Sequence, residues 1–85
     1  MEIEALFQYT IELLTRMSIR HEFTRFQSGA IMLDIWHKDS FFVIQFEDFV
    51  GVSEITEENP GFSTVPDEIF HSEEEYKNRL KDILN

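Results

Sequence analysis

An α+β two-layer sandwich is the fold this chain predicts: an antiparallel sheet of three to four strands, with an N-terminal and a C-terminal helix packed on one face. Apolar residues recur every three to four positions near both ends and alternate one by one through the middle. Turn residues separate the two patterns, and the order helix, strands, helix fits two layers around one core.

From Ile3 to Met17 the positions Ile3, Leu6, Phe7, Thr10, Leu13, Leu14 and Met17 form one wide stripe, the mark of an amphipathic helix. Glu2 and Glu4 stand at its positive end, with Arg16 and Arg20 near its negative end. Residues 19–26 mix polar and aromatic side chains without a helical stripe and are read as a strand. Ser28-Gly29 then signals a turn. In residues 30–37, Ile31, Leu33 and Ile35 fall on one face and Met32, Asp34 and Trp36 on the other.

Lys38-Asp39-Ser40 is a polar break. The alternation resumes with Phe42, Ile44 and Phe46 inside and Phe41, Val43, Gln45 and Glu47 outside, so the two runs form a β-hairpin. Residues 49–55 are rich in β-formers, with Gly51 marking a bulge or a close backbone approach. Residues 56–66 hold the turn cluster Glu57-Glu58-Asn59-Pro60-Gly61 and read as a loop. Ser72 followed by Glu75 is a capping box, so a second helix is expected from Glu73 to about Leu84, with Tyr76, Leu80, Ile83 and Leu84 as its stripe.

The length of 85 residues predicts a single domain, and so short a chain needs a dense core. Nine Phe, two Tyr and one Trp supply it. Cysteine is absent, which excludes disulfides and thiolate chemistry and fits a reducing, cytoplasmic setting. The start Met1-Glu2-Ile3-Glu4 lacks the basic region of a signal peptide, and no stretch is long and apolar enough to span a bilayer.

Seventeen Asp and Glu face seven Lys and Arg, a net charge of −10. Residues 1–40 hold six acids and four bases, and residues 41–85 hold eleven and three. Such a field disfavours nucleic acid and anionic membrane, and favours a basic protein partner.

No motif for a nucleophile elbow, a phosphate loop or a dinucleotide fold occurs. His21, His37 and His71 lack metal-site spacing, and the acids lack a calcium-loop pattern, so no metal or cofactor and no catalysis are expected. A convergence of His21, His37 and Asp34 is the arrangement an enzyme would need. Asp34 is otherwise expected to pair with Arg20 or Arg25 on the neighbouring strand.

Met32, Trp36, Phe41 and Val43 are left on the sheet's second face. Three occupants suit it: the loop of residues 56–71 folded back over it, a protein partner or second copy, and a small ligand. Glu73-Glu74-Glu75 answers the helix dipole, whereas Glu47-Asp48, Glu54, Glu57-Glu58 and Asp67-Glu68 form one acidic rim if the loop and the last strand share an edge.

The expected function is therefore that of a small interaction module binding a basic protein, of the kind represented by toxin-neutralising immunity proteins and other inhibitors. That analogy rests on size and charge alone. Trp36, Phe41, Glu57, Glu58, Phe62, Asp67 and Glu68 are the candidate interface residues. The alternative is a homodimer with a small-ligand or regulatory role and no catalysis.

Overall fold

The computed structural model describes residues 1–56 and 66–85. The chain runs α1 (Ile3–Arg16), β1 (Arg20–Arg25), β2 (Ile31–His37), β3 (Ser40–Phe46), β4 (Val50–Ile55), β5 (Glu68–Phe70) and α2 (Glu73–Leu84). The strands form one sheet in the order β1-β2-β3-β4-β5, each antiparallel to its neighbour. The predicted two-layer α+β arrangement holds, with five strands in place of three or four. β5 is the addition: at three residues it is too short to show an alternation, and its pairing with β4 reveals it.

α1 ends in a double hydrogen-bonded cap. Ser18 adopts φ 57°, its N–H donates to the Thr15 carbonyl (3.1 Å), and the Ile19 N–H donates to that of Leu14 (2.9 Å). This reversal turns the chain into β1 and seats Ile19 beside Leu14 in the core. The β2–β3 turn is tighter than the three-residue break suggested. Lys38 and Asp39 alone make it, at φ 51° and 65°, the left-handed geometry of a two-residue hairpin, while Ser40 already pairs with His37. α2 begins as expected, with the Glu75 N–H donating to Ser72 Oγ at 3.4 Å.

Both helices contribute to one core with a single face of the sheet. Leu33, Ile35, Ile44 and Phe46 from the strands meet Leu6, Phe7 and Leu14 of α1 and Tyr76 and Leu80 of α2. Phe7 packs edge-on to Phe23 and Phe46, with centroids 5.0 and 5.6 Å away, and Phe46 packs likewise on Tyr76 at 5.9 Å. The helices are linked by a buried polar chain. Tyr76 donates its hydroxyl to Thr10 Oγ1 (2.6 Å), which donates in turn to the Leu6 carbonyl (2.8 Å). Burial drives the Tyr76 phenol far above its usual range, so it stays a neutral donor. Among the described residues, no buried side-chain polar atom lacks a partner.

Candidate functional site: the sheet face opposite the helices

Directly opposite residues of an antiparallel pair share a face, so the strand register arranges the second face in three rows. Arg20, Trp36, Phe41 and Ile55 form the first, Glu22, Asp34, Val43 and Ser53 the second. The third contains Thr24, Met32, Gln45, Gly51 and Ile69. Neither helix covers them.

The first row is aromatic. Trp36 and Phe41 stack with centroids 5.1 Å apart and planes 20° from parallel. The Arg20 guanidinium sits 4.4 Å from the Trp36 ring centre, so the indole already carries a cation on one face. Trp36 and Phe41 are half-buried. Both candidate residues thus lie where the alternation put them, and the register adds Arg20.

The second row overturns the expected salt bridge of Asp34. Its direct partner is Glu22, a like charge. Partial burial, and after it the Glu22 carboxylate, raise the Asp34 carboxyl above its ordinary range. Arg20 is engaged on Trp36. Arg25 lies on the helix side, where it holds Glu4 through bonds of 2.7 and 3.2 Å and approaches the rings of Phe7 and Phe23. That pairing lowers the Glu4 pKa and raises that of Arg25.

The third row is partly covered. A Cβ added to Gly51 would collide with the Pro66 ring, coming within 2.8 Å of its Cβ. Gly51 therefore serves a close approach, as expected, and the buried Pro66 seals this row at β4. Cover by the chain itself is shown here for Pro66, whereas the aromatic row remains half-exposed and Ile69 is 47% exposed.

The other candidates separate. Glu57, Glu58 and Phe62 lie outside the described residues. Asp67 Oδ2 accepts from the Glu54 N–H (3.1 Å), and the Asp67 N–H donates to Ser53 Oγ (3.3 Å), fastening the approach to β5 onto β4. Both oxygens of Glu68 accept from Arg79 Nε, at 3.0 and 3.1 Å, tying β5 to α2. These two acids bind strand to strand and strand to helix.

A single acidic rim does not form among the described residues. Glu47 and Asp48 precede β4 and Glu54 is near its far end, roughly 20 Å away at the rise of an extended strand. Glu47 and Asp48 instead border a hollow with Ile3, Glu4, Ser28, Gly29 and Ala30. Glu73 lies on the helix N-terminal side, its carboxyl held low by Lys77 and, more weakly, by the chain's N-terminal amine.

The catalytic convergence is not assembled either. His21 Nδ1 lies 2.8 Å from the Ile19 carbonyl, and His37 Nε2 lies 3.2 Å from that of Leu84. Both rings belong to the helix side, whereas Asp34 points away from it. Among the described residues, no three His, Asp or Glu side chains are placed to hold a metal ion. No described helix is long and apolar enough to cross a membrane.

Reading the sequence missed Glu22 and Pro66 as parts of this face, and offered Arg20 only as one of two possible partners for Asp34. The polar string of β1 gives no face assignment, and only its register against β2 does so. Set against known protein families, curated proteins and solved structures, the chain matches none.

Proposed function

We propose that this chain is a small interaction module that binds a basic protein on the sheet face opposite the helices, in the manner of an inhibitor, by association rather than catalysis. The observation that carries the reading is the placement of the like-charged Glu22–Asp34 pair beside the stacked Trp36 and Phe41. Two carboxylates opposed across a strand pair oppose folding, and an incoming Arg or Lys would neutralise both. Apolar residues flanking that cation would cover the aromatic row, which supplies the buried anchors that interfaces use.

The net charge of −10 supports the same partner, because it steers a basic protein inward and makes the encounter fast and salt-sensitive. A reducing, cytoplasmic compartment belongs to this reading, since the cysteine-free composition suits it. Binding rather than chemistry is favoured because His21 and His37 lie on the helix side and do not converge with Asp34 on the opposite face.

The test is affinity capture from lysate on the immobilised chain at low and high salt, beside a Glu22→Gln/Asp34→Asn column. The expected result is an identified basic protein, held at low salt, released at high salt, and at least about tenfold weaker on the variant. Binders indifferent both to salt and to the substitutions would sink the proposal.

A further inference from the structure

The two edges of the sheet are treated differently. β5 is three residues long and is fastened through Glu68 to Arg79, so it offers little to another strand. β1 runs six residues in unbroken register with β2 and, among the described residues, has no strand on its other side. It contains no proline, no lysine and no bulge, three of the devices that blunt an edge, although Arg20, Glu22 and Arg25 give it charge.

Backbone parity tells which groups this edge offers. The Phe26 N–H donates to the Ala30 carbonyl (2.9 Å), so Phe26, Thr24, Glu22 and Arg20 turn their backbone groups toward β2. His21, Phe23 and Arg25 turn theirs outward. These three are symmetric about Phe23.

We propose that β1 is a self-association edge, on which a second copy of the chain pairs antiparallel across a two-fold axis at Phe23. Phe23 then faces its own counterpart, and His21 faces Arg25 of the second copy on either side. All three outward-facing residues are paired, with two backbone hydrogen bonds for each facing pair. Glu22 meets Thr24 of the second copy. An axis one residue earlier would set the two Glu22 side chains face to face, and one residue later would leave His21 without a β1 partner.

The side chains favour the same register. Phe23 is 49% exposed and Phe26 47%. The axis packs Phe23 on its twin and brings Phe26 opposite Arg20 of the second copy, prolonging the row of Arg20, Trp36 and Phe41. β1 holds two Arg against one Glu, so the junction lies away from the acids that dominate the chain. Two copies at −10 each still repel at long range, and added salt tightens the pair. Binding of a basic protein has the opposite salt dependence, so the two proposals fail separately.

The experiment is analytical ultracentrifugation of the full chain from about 1 μM to about 1 mM, at about 0.05 M and about 0.5 M salt. A monomer–dimer equilibrium that tightens with salt is expected. His21→Pro deletes an outward N–H that the sheet does not use, and Phe23→Lys places two cations on the axis. Each should weaken the dimer by about tenfold or more. Amide exchange on the wild type should show concentration-dependent protection at His21, Phe23 and Arg25. A monomer at every concentration, a dimer indifferent to both substitutions, or protection confined to other segments would overturn the proposal.

Discussion

Leu33 and Trp36 stand three residues apart on β2 and live under different rules. Leu33 is wholly buried beneath the helices, at 0% exposure, whereas Trp36 is half-buried between Phe41 and Arg20 on the opposite face. Around Leu33 the apolar side chains interlock and the polar pair Thr10 and Tyr76 is satisfied. Around Trp36 two carboxylates oppose one another and aromatic surface meets water. Stability is concentrated on the first face, which leaves the second free to hold groups that folding alone would not choose.

The largest effect tests that division directly. Leu33→Ala should cost about 2–5 kcal/mol, because it empties a fully packed site. Trp36→Ala should cost about 1 kcal/mol, the scale of one exposed aromatic pair and its cation. Chemical denaturation of both variants measures the gap, and equal losses would erase the distinction between the faces.

Gly51→Ala sharpens the boundary, since it lies on the second face at the row that Pro66 covers. Driving a methyl into the Pro66 ring should cost about 2 kcal/mol, as overpacking does. A neutral substitution would mean that Pro66 does not press on β4.

Within the covered face, Thr10→Val should cost about 2 kcal/mol because it strands the Tyr76 hydroxyl in the core. Tyr76→Phe should cost about 1 kcal/mol, since Thr10 keeps its bond to Leu6. The double variant should cost less than the sum of the two, and a thermodynamic cycle on the melting curves would show it.

The smallest effect has the opposite sign. Folded Asp34 keeps its proton to higher pH than the unfolded chain does, so the native state binds more protons in the window between. Stability therefore falls as pH rises through that window, and the cost is fully present at neutral pH. Asp34→Asn should gain about 0.5 kcal/mol there, and the gain should vanish below about pH 3, where the wild-type carboxyl is protonated in both states. Paired unfolding curves at the two pH values check it.

The sequence was most readable where structure depends on local spacing. α2 spans the predicted Glu73–Leu84, α1 stops one residue short of Met17, and the alternation in β2 and β3 assigned both faces correctly. What required strand register was hidden. The pairing of Glu22 with Asp34, the seat of Arg20 on Trp36, and the three residues of β5 all depend on neighbours distant in sequence. Trp36, Phe41 and Asp34 were therefore visible on one face, while the opposition of Glu22 to Asp34 and the seat of Arg20 on Trp36 were not. Asp67 and Glu68 looked like recognition acids because their partners, Ser53, the Glu54 amide and Arg79, are supplied by other elements.

The most direct test is to map backbone amide chemical shifts of the chain as the captured basic protein is titrated in. The changes should centre on Arg20, Glu22, Asp34, Trp36 and Phe41, with a change in emission from Trp36, the chain's one tryptophan. Shifts confined to the outer surfaces of α1 and α2, with Trp36 emission unaltered, would contradict the assignment of the face opposite the helices as the binding surface.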